Sequence, residues 1–363
     1  MGELATMFAP DRVAVVGATE SEGSVGRAIT SNLAADFDGE VVPVNPNADT
    51  VLGLQCYEDI GSVPGAVDVA VVVVPASIAV DVVEGCGEAG IENVVVITAG
   101  FSEAGSDGAS RERRLREIAD EYDLNVVGPN SLGIMSTGVG MNATFGPENA
   151  QPGPISFMSQ SGAFVTAVLD WANDRDVGFK DIVSLGNKAV LDERHFVAEW
   201  GSDPETDVIL AYLEGIENGG QFIQTAREVT QDTPILMVKS GRTEAGASAA
   251  ASHTGTMAGS ERAYEAGLEQ AGVLRVETVQ ELFDYAGILS GQPLPEADGV
   301  AIVTNAGGPG VMTTDAIGDS DLDLASFSNE TIDDLIEDLP AGANVYNPID
   351  VIGDADVERF REA

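Results

Sequence analysis

Short runs dominated by Val recur every 20 to 30 residues from the start of this chain, at 12–17, 40–45, 68–75, 93–100 and 125–128. Each is bounded by Gly, Pro or Asn, and helix-like stretches such as 25–35 and 110–122 separate them. A strand that is apolar throughout, rather than at alternate positions, is buried on both faces. Such strands alternating with helices predict a parallel sheet covered on both sides, an α/β fold. The pattern restarts after Gln151-Pro152-Gly153-Pro154, with strands expected at 155–159, 181–184, 208–213 and 234–238 and helices at 162–173, 261–271 and 279–289. After the linker-like Gly291-Gln292-Pro293-Leu294-Pro295, a strand at 299–304 runs into a Gly-rich turn at 305–310. The expected domains are 1–150, 151–292 and 293–363. Only 65 residues remain from Gly299 onward, and an ordinary doubly wound domain needs about twice that. The chain is expected to stop inside its third domain.

Charge narrows the function classes. Of the 363 residues, 60 are acidic and 17 basic, a net charge of −43. Such a surface repels phosphate backbones and anionic lipid, which excludes non-specific nucleic-acid binding. The acids are scattered rather than blocked, and only Lys180, Lys188 and Lys239 are lysines. This pattern reads as adaptation to a salty cytosol, where ionic strength screens the self-repulsion. Cys56 and Cys86 form no disulfide framework, so a reducing, cytoplasmic compartment is expected. The longest apolar run, 69–76, is far too short to span a membrane, and no secretory signal precedes the first strand. His195 and His253, the only histidines, are too few for a His-rich metal site. His195, on an acid-rich stretch at 191–200, reads as a surface residue.

Two strand-to-helix turns carry the chemistry. Gly17-Ala18-Thr19-Glu20-Ser21-Glu22-Gly23-Ser24-Val25-Gly26-Arg27 follows the first strand. Small residues there let backbone N–H groups and a helix N-terminus face an anionic ligand, although the turn is equally compatible with no ligand. The spacing is not G-x-G-x-x-G. The second strand ends in Val44-Asn45-Pro46 rather than the Asp or Glu that holds an NAD ribose, which disfavours a dehydrogenase. A different phosphorylated nucleotide, such as coenzyme A, stays open. The ends Val74-Pro75-Ala76, Ala99-Gly100-Phe101 and Gly128-Pro129-Asn130 are expected on the same carboxyl edge, where open α/β sheets bind ligands. Glu20 and Glu22 must then point away from any polyphosphate. The second turn, Ser159-Gln160-Ser161-Gly162, offers hydroxyls and a helix N-terminus to a phosphate, or simply a Ser cap. His253 sits in a segment rich in Ala, Ser and Gly that gives it little to pack against. Imidazole is nucleophilic when neutral and titrates near pH 7, so His253 is a candidate phosphoryl carrier. Glu214, at the end of the strand 208–213, could fix its tautomer, or be one more acid on an acidic surface.

In order along the chain, Val15–Gly26, Gly128-Pro129-Asn130-Ser131-Leu132-Gly133, Met158–Phe164, Ser184-Leu185-Gly186-Asn187-Lys188, Tyr212-Leu213-Glu214-Gly215, Ser252-His253-Thr254-Gly255 and Thr304–Gly310 resemble the NDP-forming acyl-CoA synthetases, within the succinyl-CoA synthetase superfamily. The similarity is greatest to the α part of the ADP-forming acetate–CoA ligases. The resemblance implies a Rossmann-like CoA-binding domain, a flavodoxin-like ligase domain and an incomplete second flavodoxin-like domain. It implies acyl-CoA + ADP + phosphate ⇌ carboxylate + CoA + ATP, through an acyl phosphate and a phosphohistidine at His253 that Glu214 stabilises. CoA would lie along Gly17, Ala18, Thr19, Ser24, Val25, Gly26, Arg27, Asn45, Pro46, Val74, Pro75, Ala76, Ala99, Gly100, Phe101 and Asn130. Ser159, Ser161 and Gly162 would hold phosphate. ADP/ATP with Mg2+ would belong to an ATP-grasp β module or subunit that the sequence lacks, and the assembly would be oligomeric. Acetate is the expected acid. The alternative is a non-catalytic CoA- or acyl-CoA-binding regulatory module of a larger protein, such as a protein acetyltransferase.

Overall fold

The computed structural model describes residues 4–241, 261–293, 295 and 297–363. The chain divides into two compact units, Met1–Gln292 and Pro293–Ala363. Among the described residues, no helix is long and apolar enough to cross a membrane.

The first unit holds two large sheets. In the first, β1 (Arg12–Val16), β2 (Glu40–Val44), β3 (Val69–Val72), β4 (Asn93–Val96) and β5 (Asn125–Val127) run parallel in the order β2-β1-β3-β4-β5. The helices α1 (Val25–Asp36), α2 (Ala76–Glu88) and α3 (Ser106–Tyr122) cross between them. The strands show why the Val runs are continuous. Val13, Val15, Val69 and Val71 enter one core, while Ala14, Val16, Ala70 and Val72 enter another on the opposite face. With a side-chain period of two, both sets must be apolar.

The second sheet comprises β6 (Gly133–Ser136), β7 (Met141–Thr144), β8 (Pro152–Ser159), β9 (Phe179–Ser184), β10 (Val208–Leu213), β11 (Ile235–Lys239) and β12 (Leu274–Val276), in the order β12-β11-β10-β8-β9-β6-β7. Its helices are α4 (Gly162–Asn173), α5 (Glu193–Gly201), α6 (Gly219–Val229), α7 (Glu261–Gln270) and α8 (Val279–Gly291). From β8 to β12 the strands are parallel; β6 pairs antiparallel with β9 and with β7. The β6–β7 hairpin thus belongs to the second sheet, although it precedes the break expected at 151. It covers the edge that β9 would otherwise expose. It also holds the first sheet's layer: Asn32 on α1 donates to the Thr144 and Gly146 carbonyls at 2.9 and 3.0 Å. One core runs through both sheets, joining Val13, Val15 and Val71 with Met158, Val183, Phe196, Trp200 and Ile209.

In the second unit the expected strand 299–304 is two short pieces. Gly299–Val300 pairs with Asp323–Leu324, and Val303–Thr304 with Ile349–Asp350, all parallel. The helices Gly307–Gly318 and Asn329–Asp338 accompany them, and the small core comprises Leu335, Leu339, Ile349 and Val351.

Candidate functional site

Read from β8 onward, the second sheet repeats the first: the strand order is 2-1-3-4-5 in both. In such a sheet the order reverses beside the first strand, and the crevice opens at the carboxyl ends there. For the first sheet this edge is the end of β1 beside β3; for the second it is the end of β8 beside β10.

At the first edge Gly17 takes φ +101°, and its N–H donates to the Val44 carbonyl at 2.9 Å. A Cβ on Gly26 would lie 2.2 Å from the Gly17 carbonyl oxygen. Only glycine lets the start of α1 approach the end of β1 this closely. Ser24 caps α1 by accepting from the Arg27 N–H, and the Asn45 side chain ties the turn to β2 by donating to the Ala18 carbonyl at 2.7 Å. Glu20 accepts from the Leu52 N–H, and neither Glu20 nor Glu22 is among the residues that line the clefts at this edge.

At the second edge Ser161 caps α4 by accepting from the Phe164 N–H. In both helices the first-turn N–H groups have no acceptor within the helix. Both turns line one cleft of about 880 Å3: Gly17, Thr19, Ser24, Val25 and Gly26 come from the first, and Ser161, Gly162 and Ala163 from the second. Val74, Pro75, Ala99 and Asn130 complete the wall from three further strand ends. A second cleft of about 950 Å3 is lined by Asn45, Pro46, Ile60 and Ile78 and shares Gly17, Val74 and Pro75 with the first. The two clefts therefore adjoin at the end of β1.

Several expected ligand residues have other duties. Phe101 is fully buried and packs in the core, as is Ala18 beneath the first turn. Arg27 donates to the Glu20 carbonyl rather than lining the cleft. The Ser159 hydroxyl is buried and spent on its own turn: it donates to the Ser161 carbonyl and accepts from the Ser161 N–H. Ala76 opens α2, outside the residues that line either cleft. The Gly100 and Phe101 N–H groups, expected to meet a ligand, both donate to the Glu103 carboxylate. Burial pushes the Glu103 pKa up, but hydrogen bonds from Asn187, Gly100 and Phe101 outweigh it and hold the carboxyl below its usual range.

Glu214 follows β10 at the second edge. Its N–H and that of Gly215 both donate to Gln160 Oε1, at 3.0 and 3.2 Å. His253 lies outside the described residues. His195 is not a surface residue: its side chain is 11% exposed, lies 2.9 Å from Asp192 Oδ1, and completes the cap of α5. Burial opposes ionisation of Asp192, but the bond to His195 and its charge prevail and lower its pKa. Sequence reasoning passed over Gln160, Glu103 and Glu193. Gln160 bonds groups 54 and 55 residues away, and Glu103 and Glu193 join near neighbours to partners 84 and 24 residues away, contacts that no local pattern marks.

Two family models match the chain: a CoA binding domain over residues 11–137 and a succinyl-CoA ligase like flavodoxin domain over 152–289. The acetate–CoA ligase [ADP-forming] I of Archaeoglobus fulgidus is 48% identical over 98% of this chain and 51% of its own length. The acetate–CoA ligase [ADP-forming] I subunit alpha of Pyrococcus furiosus is 40% identical over 99% of this chain and 79% of its own. Among solved structures, the dinucleotide-forming acetyl-coenzyme A synthetase 1 of Ca. Korarchaeum cryptofilum, in complex with phosphate and ADP, superposes with a TM-score of 0.94 at 40% identity, covering 100% of this chain and 78% of that one. The chain spans about half the length of the first curated relatives it matches. With two domains of matching kind in matching order, and with this identity across nearly the whole length of the chain, it belongs to the family of the ADP-forming acetate–CoA ligases.

Proposed function

We propose that this chain is the CoA-binding and phosphoryl-carrying part of an ADP-forming acyl-CoA ligase, with acetate as the acid. The observation that carries the reading is the single cleft lined by two helix N-termini, one from each sheet. The thioester comes from the first side and phosphate from the second. The adjoining clefts suit CoA: its nucleotide end would lie by Asn45 and Pro46, and its chain would pass Gly17, Val74 and Pro75 toward Ser161 and Gly162. The Gly17–Gly26 approach, where no Cβ fits, leaves the backbone itself as the floor.

The chemistry then follows from placement. Phosphate held at the first turn of α4 attacks the thioester carbonyl, the C–S bond breaks, and CoA leaves as a thiolate that takes up a proton. The acyl phosphate formed is already at the α4 N-terminus, where N–H groups stabilise the phosphoryl charge. Neutral His253 attacks its phosphorus, the P–O bond to the acyl oxygen breaks, and acetate leaves. Glu214 accepts the other imidazole N–H and stabilises the cation. The phosphoryl group then passes from His253 to an ADP oxygen in an ATP-grasp partner, which frees the histidine. ADP and Mg2+ belong to that partner module.

The test uses the chain alone. Acetyl phosphate labelled in phosphorus should label the protein in an acid-labile, base-stable form, and His253→Ala should take none. Label on His253→Ala, or CoA binding without any label on the natural sequence, overturns the catalytic reading; the second outcome establishes a regulatory CoA-binding module instead.

A further inference from the structure

Lysine is nearly absent from this chain, yet two of its three lysines, Lys188 and Lys239, are buried, and Lys188 is paired with a buried carboxylate. The Lys188 side chain is 1% exposed and that of Glu193 is 0%. Their charged ends lie 2.9 Å apart, and Lys188 Nζ also donates to the Gly215 carbonyl at 2.8 Å. The other carboxylate oxygen of Glu193 accepts the Glu217 N–H at 2.6 Å. Burial raises the Glu193 pKa against the pull of Lys188. Lys188 holds φ +56°, a left-handed conformation that a β-carbon disfavours. Burying two charges is expensive, and a well-packed apolar pair of the same volume is often as stable or more so. Core stability alone is therefore a weak reason for this arrangement.

What the pair does hold is one short loop. Gln160, from the α4 turn, fixes the Glu214 and Gly215 N–H groups; Lys188 fixes the Gly215 carbonyl; Glu193 fixes the Glu217 N–H. Four backbone groups in four residues are thus tied to three side chains from three separate elements. We propose that Lys188 and Glu193 are positioning residues for Glu214: by fixing the backbone of 214–217 they fix where its carboxylate stands at the second edge. The inference rests on the functional reading above and goes beyond it. A carboxylate on an untethered loop would be displaced by an ångström or more, enough to cost about 100-fold in a proton- or phosphoryl-handling step.

The experiment uses the chain with acetyl phosphate and follows the rate of His253 labelling, with CoA affinity and melting measured in parallel. Lys188→Met should cut the saturated labelling rate by about 100-fold, with the acetyl phosphate concentration for half-maximal rate and the CoA affinity within about threefold. The charge-free double variant Lys188→Met/Glu193→Leu should melt at or above the natural protein and remain as slow. A double variant that labels at the natural rate overturns the proposal, because the pair is then only structural. If neither variant folds, Lys188→Leu/Glu193→Met, which likewise removes the donor to the Gly215 carbonyl and the acceptor for the Glu217 N–H, decides by the same comparison, and an unchanged rate again overturns it. A natural protein that takes no label removes the functional reading itself, and this inference with it. The two failures differ because the second is seen before any variant is made.

Discussion

The two strand-to-helix turns are built on one plan and differ in length. Both leave the first strand of a 2-1-3-4-5 sheet, both begin a helix of 12 residues, and both carry a Ser cap. The first spans eight residues between Val16 and Val25; the second has only Gln160 and Ser161 between Ser159 and Gly162. The long turn borders two adjoining clefts, while the short one presents a single helix end with a hydroxyl. Turn length, not fold, separates the two edges. The supporting shells differ as well. The first turn is held mainly by backbone contacts and Asn45; the second edge is held by Gln160, Lys188 and Glu193.

The largest test of this contrast is Gly26→Ala against Gly162→Ala. The first would set a Cβ 2.2 Å from the Gly17 carbonyl oxygen and should cost about 3 kcal/mol, with CoA binding lost. The second meets Leu132 Cβ at 3.2 Å and should cost under about 1 kcal/mol. Calorimetry of folding and CoA binding on both variants checks this; equal costs would mean that the two turns are not packed differently.

A pH titration separates the sheets next. Burial raises the pKa of Asp181, on β9, to about 6. The folded state therefore holds this proton more tightly than the unfolded one, so its contribution is present below about pH 4 and lost as pH rises to about 6. The gap corresponds to about 3 kcal/mol at most. Asp181→Asn should flatten melting temperature against pH between 4 and 7, and an unchanged slope would refute the assignment.

Salt should act on the first site in the unusual direction. Among the described residues lining the two clefts none is Lys or Arg, and the chain carries −43. CoA affinity should rise on the order of tenfold from low to molar KCl as repulsion is screened, and the melting temperature should climb with it. Affinity that falls with salt would point to a hidden cationic contact.

The smallest contrast is Ser24→Ala against Ser161→Ala. Each loses a cap and about 1 kcal/mol of stability. Only Ser161→Ala should also slow labelling by acetyl phosphate, and equal labelling rates would remove the phosphate from the second turn.

The carboxyl-edge residues Gly17, Asn45, Pro46, Val74, Pro75 and Asn130 were legible because glycine, proline and asparagine punctuate strand ends in any sequence. Phe101 was misread for the same reason: its neighbours mark an edge, but only packing shows that its own ring turns inward. Glu103 and Glu193 were invisible: two acids among 60 look like the rest until folding sets near neighbours (Gly100 and Phe101, Lys188) and partners 84 or 24 residues away around them. Lys188 did leave a trace, as a rare lysine inside Ser184-Leu185-Gly186-Asn187-Lys188.

By itself the sequence determined the βα alternation, the two strand-to-helix turns and the family, because these depend on local period, local turn chemistry and residue identity. The tertiary structure alone decided that 133–144 complete the second sheet, that the two turns share one cleft, and that a buried ion pair tethers the loop of Glu214. Each of these depends on distances between residues far apart in the chain, which packing and hydrogen bonding set only once the sheets have formed.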